Sequence, residues 1–491
     1  MKNIRFLIIK KNILVIIELS KRYWVRMKLY TSEEIETLFK KKLKKKLFFS
    51  DITINSRLIS NNALFIPIKG KKFDGHDFIQ EAFKNGATAS LVNYNYYKKN
   101  MNKAKFYDFL IPVEDTLKSL QLLAKYSRMR SKLKKMICIT GSNGKTTLKD
   151  WLNQVLKNHF ITYCTQGNFN NQIGLPLTLS RMPKNTEVCI LEIGTNQPGE
   201  IEFLTSISSP NISIVTNIGD AHIGNFYNRK NIAIEKSKIF SCLKDGLAII
   251  PHHDFFELLF NEAQKNKNKI LSFGNSRKSD ASILNISSNP GDSNYKVELK
   301  ILGKKIQFDW NYFGVHWATN ILIIFMIVME LNLSFKDVLK QILKLKPDVG
   351  RGSLHKTKIN GKEITIIDDS YNANPNSMKN SLFNFLNLKI NNQRKICVLG
   401  DMLELGKKKE FFHKEISLIL NESDIDFVIT VGKESKIISE NLNSSIRSKH
   451  FPDIKRLYSF LNKNLIKNDL VLFKGSNSVK LWEVCKILTC S

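Results

Sequence analysis

"CITGSNGKTTLKDW", residues 138–151, sets how the rest of the chain is read. An apolar, strand-like run over residues 136–139 ends in a Gly-polar-polar-Gly-Lys-Thr-Thr turn, and the chain then passes directly into a helical pattern. Gly141 and Gly144 let the backbone curl so that its N–H groups, with those of Ser142, Asn143 and Thr147, face an anion, and the following helix brings its positive end to the same place. Lys145 is then placed to reach the β- and γ-phosphates of a nucleotide, and Thr146 to ligate Mg²⁺. Ile139 stands where the usual phosphate-loop motif has its first glycine. A Lys-rich turn capping a helix is the plainer alternative, but the strand before, the helix after and Gly-Lys-Thr-Thr in register meet the context the motif requires.

Working outward, three blocks emerge. Residues 1–26 are expected to be an extension or an upstream misassigned start, because Lys10, Lys11 and Glu18 interrupt the apolar run "RFLIIKKNILVIIEL" well short of the roughly 18–20 residues a membrane span needs. Residues 27–112 read as a small α/β unit, with Thr31 or Ser32 capping a first helix, "ALFIPIKG" a strand, "HDFIQEAFKNGA" a helix ended by Gly86, and "ASLV" a strand. Residues 113–346 alternate strands ("KMICIT", "EVCILEIG", "ISIVTNIG") with helices, the pattern of a parallel sheet wrapped by crossovers. Residues 347–491 begin a second alternation, "EITIIDDS", "KICVLG", "DFVITVG" and "DLVLFKGS", which reads as a Rossmann-like domain. The expected fold is therefore α/β in three domains, the central one resembling a P-loop ATPase.

Bulk properties narrow the class. At 491 residues, with 43% hydrophobic and 24% charged residues, the chain has the makeup of a multidomain soluble protein. Seven scattered cysteines without a C-x-x-C pair read as reduced thiols, which places the protein in the cytoplasm. The net charge of +32 invites a nucleic-acid reading. However, the lysines are diffuse, even in loops such as "NEAQKNKNKI", so a compositional drift explains them without such a partner.

Other chemistry-bearing residues also sit at strand ends, where open α/β sheets bind ligands. Glu192 closes the strand "VCILE", and His222 follows another strand end in "TNIGDAHIGNF". With Thr146 they make a set of hard oxygens and an imidazole that suits Mg²⁺ once phosphates complete the shell. Read singly, Glu192 could be a solvated strand end, His222 a surface histidine and Lys236 one more lysine in a basic chain.

Taken together these stretches resemble the ATP-dependent Mur ligases of bacterial cell-wall synthesis. "TQGNFNNQIGLPLTL" (165–179), "IIDDSYNANPNSM" (366–378), "VLGDMLELG" (398–406) and "LFKGSN" (472–477) are most similar to the member that acts last among the four amide-forming ligases. The resemblance implies that ATP phosphorylates the carboxylate of UDP-N-acetylmuramoyl-tripeptide and that D-alanyl-D-alanine then attacks the acyl phosphate. It implies Lys145, Lys236, His222 and Arg351 as catalytic residues. Thr146, Glu192, His222 and Lys236 would hold the metal, two Mg²⁺ ions in all, with Lys236 carrying CO₂ as a carbamate. Arg351 of "DVGRGS" would contact ATP phosphate. Asp369, Tyr371, Asn372, His316 and Asn320 would complete the nucleotide site, with Asn374 and Pro375 shaping its loop.

The first block, through Ser56, Arg57, Lys69, Asp74, Gly75 and His76, would hold the UDP-sugar, while Asn168, Asn170 and Asn171 would face the peptide or order their own loop. The resemblance further implies a cytoplasmic monomer without membrane insertion or nucleic acid. Several positions depart from the family's pattern: Asn55, Lys238, Pro251, Trp317 and Asn477. Rival readings are the ligase that adds the third residue, whose Asp-Asn-Pro-Arg motif is missing here, and folylpolyglutamate synthetase, which lacks "GNFNN" and "GDMLELG". A basic nucleotide-dependent nucleic-acid-binding protein is the rival from another class.

Overall fold

The computed structural model describes residues 28–100, 106–288, 295–310, 317–388 and 393–489. The expected N-terminal extension and His316 lie outside the described residues. Two compact units are present: one runs to Met136 and includes Phe160–Leu191, and the other holds Ile137–His159 and everything from Glu192 onward.

In the first unit, Thr31 caps the helix Ser32–Phe39 in a capping box with Glu34, which satisfies two otherwise orphaned backbone donors at once. Four short strands, Asp51–Thr53, Ala63–Phe65, Ala87–Asn93 and Leu110–Val113, pair in that order, all parallel. Ile52, Leu64, Leu91 and Ile111 from these strands pack with Ile35, Leu120, Leu123 and Leu177 in one core. The helix read in "HDFIQEAFKNGA" is real but begins as a 3₁₀ turn over Gly75–Phe78 before becoming α-helical over Ile79–Lys84. Gly75 is required there, since a side chain would meet the backbone nitrogen of Ile68 at 2.6 Å.

In the second unit, the strand Lys135–Thr140 pairs from Ile137 onward with Ile212–Val215, followed by Leu247–Pro251, Lys269–Gly274 and Ala281–Ser288, all parallel. Two antiparallel strands, Tyr295–Ile301 and Lys304–Trp310, extend this sheet. That extension departs from the all-parallel pattern expected from sequence. The last two strands are joined by the turn at Leu302 and Gly303 (φ 46° and 86°), a tight hairpin in place of a crossover helix.

The helix Trp317–Glu330 is buried on nearly every side, as an apolar helix without a polar face must be. A separate sheet has the order Ser353–Ile359, Lys362–Asp368, Leu470–Lys474, Lys395–Gly400, Phe427–Val431, Arg447–Phe451. Its first pair is antiparallel and the others are parallel. Among the described residues no helix is long and apolar enough to cross a membrane.

Candidate active site

The phosphate loop forms where the sequence places it, between the strand Lys135–Thr140 and the helix Lys145–Leu156. Gly141 (φ 148°) and Gly144 (φ 81°) adopt backbone angles that side chains resist, and a Cβ at Gly141 would collide with Thr216 Oγ1. Neighbouring strand ends brace the loop. Thr216 Oγ1 and Asn217 Nδ2 donate to the Asn143 carbonyl at 2.6 and 3.0 Å, and Asn143 N–H donates to Asn217 Oδ1 at 2.9 Å. Ser142 Oγ accepts from Gly219 N–H at 2.8 Å. Thr216 and Asn217 belong to the same "TNIGDAHIGNF" stretch as His222, yet nothing in the sequence marks them as braces for a loop some seventy residues away.

Around the loop the chemistry converges. Thr146 Oγ1 donates to Glu192 Oε2 at 2.7 Å, which sets two hard oxygen atoms side by side. Lys145 Nζ donates to the Gly141 carbonyl at 2.6 Å. Burial pushes the Lys145 ammonium below its ordinary value, Arg351 adds to the depression, and Glu192 opposes it. Lys236 is buried at the end of the helix Arg229–Ser237. Burial first, and the Lys145 cation second, push its ammonium well below the usual lysine range.

His222 holds a left-handed backbone (φ 62°) and sets Nδ1 2.5 Å from Glu404 Oε2. The imidazole in turn keeps the Glu404 carboxyl below the usual carboxylate range. Among the described residues no three His, Cys, Asp or Glu side chains cluster as a ready-made metal site. Two oxygens and an imidazole suit a hard cation only when substrate oxygens finish the shell, as Mg²⁺ with phosphates allows.

Residues from beyond position 347 meet the loop. Asn374 caps the helix Pro375–Leu386 and donates Nδ2 to Asn143 Oδ1 at 2.6 Å. Arg351 stacks on Tyr371 with its guanidinium carbon 4.1 Å from the ring centroid. Asp369 is held by Lys474, whose Nζ lies 2.8 Å from Oδ2 and also donates to the Asn372 carbonyl at 3.2 Å. Asn320 is buried near Gly144, where a side chain would meet its Oδ1 at 3.3 Å. Lys474 lies in "LFKGSN" and Glu404 in "VLGDMLELG", but the sequence attaches no role to either residue, because their partners are distant along the chain.

The candidate sugar-site residues lie in the first unit. Arg57 and Lys69 are exposed, whereas buried Ser56 donates to Glu81 at 2.7 Å. The His76 ring is engaged on both sides, by Asp74 at Nδ1 (2.6 Å) and by the Asn93 N–H at Nε2 (3.1 Å). Asn171 Oδ1 accepts from the N–H groups of Ile173 and Gly174 at 3.1 and 2.8 Å, ordering its own loop, while Asn168 is exposed and Asn170 half-buried.

Comparison with known proteins gives this arrangement a family. Residues 139–328 match the Mur ligase middle domain, 350–477 the Mur ligase glutamate ligase domain, and 49–128 the Mur ligase family catalytic domain. The UDP-N-acetylmuramoyl-tripeptide–D-alanyl-D-alanine ligase of Bacillus subtilis is 34% identical over 89% of this chain and 92% of its own. The chain belongs to the Mur ligase family.

Among solved structures, MurF from Acinetobacter baumannii superposes with a TM-score of 0.81 at 26% identity, covering 94% of this chain and 99% of that one. MurF from Thermotoga maritima, solved with ADP, superposes with a TM-score of 0.76 at 28% identity, covering 90% and 97%. The three-domain α/β architecture of Mur ligases is thus the fold of this protein, and like them it is an ATP-dependent ligase.

Against the family's pattern, the departures acquire physical roles. Lys238 pairs with Glu262 at 3.2 Å. Trp317 stacks on Trp310 at 4.5 Å and fills the interior. Asn477 Nδ2 donates to the Tyr371 carbonyl at 3.1 Å, and Asn55 Oδ1 accepts from the Arg57 N–H at 3.0 Å. Pro251 ends its strand.

Proposed function

We infer that the protein joins D-alanyl-D-alanine to UDP-N-acetylmuramoyl-tripeptide, forming UDP-N-acetylmuramoyl-pentapeptide, ADP and phosphate. The observation that carries this reading is the phosphate loop with Thr146 set against Glu192, in a chain 34% identical over 89% of its length to a ligase of that name. The working blocks are residues 27–112 for the UDP-sugar, 113–346 for the ATP phosphates, and 347–491 for closing the nucleotide site. The enzyme is read as a cytoplasmic monomer, without membrane insertion or a nucleic-acid partner.

In the first step a carboxylate oxygen of the tripeptide attacks the γ-phosphorus, the bond to the β,γ-bridging oxygen breaks, and ADP leaves. In the second, the amine of D-alanyl-D-alanine, its ammonium proton given up to solvent, attacks the acyl carbon, phosphate departs with the electrons of the C–O bond, and the surplus amine proton passes to the departing phosphate. Several negative charges meet at one point, so positioning and charge neutralisation supply most of the acceleration. Lys145 exchanges its Gly141 carbonyl for phosphate oxygens, and Arg351 adds a second cation. The loop N–H groups cradle the phosphates, and Asp369, with Tyr371, Asn372 and Asn320, holds the nucleoside. Ser56, Arg57, Lys69 and Asp74 are assigned to the sugar diphosphate.

Thr146 and Glu192, side by side, with His222 and Lys236, would hold two Mg²⁺ ions, which when bound would neutralise phosphate charge and polarise the reacting oxygens. The neutral amine favoured by burial at Lys236 is the form that adds to CO₂. The ammonium gives one proton to solvent to become that amine, and a second proton leaves as the N–C bond to CO₂ forms, so that over both steps a cation would be replaced by a carbamate anion.

The test is phosphate release from ATP and Mg²⁺ with purified UDP-muramoyl-tripeptide, with and without D-alanyl-D-alanine, using lysine and diaminopimelate forms. Release that requires both substrates is expected; release indifferent to either one overturns the reading. Lys145→Ala is expected to abolish turnover while UDP-tripeptide binding, followed by calorimetry, stays near wild type.

A further inference from the structure

The loop residues 400–406, "GDMLELG", cross the segment after His222 backbone against backbone. Gly224 N–H donates to the Glu404 carbonyl at 3.1 Å. The approach needs two glycines, because a Cβ on Gly224 would lie 2.7 Å from the nitrogen of Gly406, and one on Gly406 would lie 3.0 Å from Gly224 Cα. This crossing fixes the register that puts the Glu404 carboxylate 2.5 Å from His222 Nδ1. Both residues hold left-handed backbones, φ 63° for Glu404 and 62° for His222. Non-glycine residues persist there only where the surroundings over-determine them, and such strain gathers at functional sites. An exposed ion pair alone stabilises little, so stability does not account for two strained residues and a glycine crossing.

We propose that Glu404 is the positioning residue for His222: its carboxylate, at contact distance from Nδ1, favours the Nδ1–H tautomer and leaves the Nε2 lone pair as the ring's metal-binding atom. Histidine ligands commonly donate their second ring nitrogen to a carboxylate in this way. His222 lies in the segment matching the middle domain and Glu404 in the segment matching the glutamate ligase domain. Docking of the latter segment is therefore part of building the metal site. The inference rests on the metal assignment of His222 made above.

Two measurements on the full chain test it. In metal-free protein with ¹⁵N-labelled histidine, nine in all, the His222 ring is identified by its loss in His222→Ala. It should be the Nδ1–H tautomer in wild type, retained in Glu404→Gln, whose amide oxygen still accepts, and shifted toward Nε2–H in Glu404→Ala. Mn²⁺ binding with a non-hydrolysable ATP analogue, followed by electron paramagnetic resonance, should weaken about 10- to 100-fold in Glu404→Ala and less in Glu404→Gln. Thermal melts matching wild type show that each variant folds. A merely structural clasp would leave tautomer and Mn²⁺ affinity unchanged, and that result overturns the proposal. If His222→Ala itself binds Mn²⁺ normally, the metal assignment fails first, and the proposal with it.

Discussion

Asp369 shows how much one buried partner can decide. Its carboxylate lies at the end of the strand Lys362–Asp368, and the side chain of Lys474, only 3% exposed, meets it from the neighbouring strand end at 2.8 Å. Lys474 also holds the Asn372 carbonyl, so one ammonium ties both ends of the 369–372 turn. Removing one partner of a buried ion pair costs about 3–5 kcal/mol because the other charge is left unpaired; Asp369 keeps some solvent, at 20% exposure, which sets the expected cost at the lower end. With part of that cost falling on the stability of the turn itself, Lys474→Ala should raise KM for ATP roughly tenfold, equivalent to about 1.4 kcal/mol, with KM for the UDP-tripeptide little changed. Steady-state kinetics against each substrate checks this, and an unchanged KM for ATP would separate Lys474 from the nucleotide site. "LFKGSN" was readable as a motif, but the task of its lysine was not: the pairing spans 105 positions and depends on two parallel strands lying side by side.

Among the elements, the helix Lys409–Asn421 carries a testable pH dependence. His413 is fully buried on it, with Nδ1 at 2.7 Å from the Lys409 carbonyl and Nε2 accepting from the Met402 N–H at 3.2 Å. Burial lowers its affinity for a proton below the ordinary value of 6.5, and a protonated ring could no longer accept from Met402. Below that value the unfolded chain therefore binds the proton more readily than the native one, and stability rises with pH through this window. The contribution is complete above about pH 6.5 and is lost as the pH falls. His413→Gln should flatten the decline of Tm between about pH 7 and pH 5 relative to wild type; parallel curves would contradict it.

Neighbouring strands show what the sequence makes legible. Strands such as Lys395–Gly400 and Phe427–Val431 are short apolar runs ending in polar residues, and those boundaries read directly. The hairpin Tyr295–Ile301 with Lys304–Trp310 did not. It alternates buried and half-buried residues along most of its first strand, and its place at the edge of the sheet depends on the strand before it, which no local pattern encodes.

At the scale of the whole molecule the question is what a net charge of +32 does. Both ATP and the UDP-tripeptide are polyanions, whereas D-alanyl-D-alanine is a zwitterion with no net charge. A diffuse positive field raises the local concentration of anions, and salt removes that benefit as the Debye length shrinks from about 10 Å at 0.1 M to about 3 Å at 1 M. KM for ATP and for the UDP-tripeptide should therefore rise together between about 0.05 and 0.5 M KCl, while KM for D-alanyl-D-alanine stays flat. The close pairs at the site, Thr146 with Glu192 at 2.7 Å and Lys474 with Asp369 at 2.8 Å, are in direct contact and largely shielded from solvent ions, so kcat should change least. A protein whose charge served a polynucleotide would behave otherwise: phosphate release would be stimulated by nucleic acid, and that stimulation would collapse steeply with salt. Kinetics across the salt series, with and without added polynucleotide, separates a field that gathers small anions from a surface built for a large one.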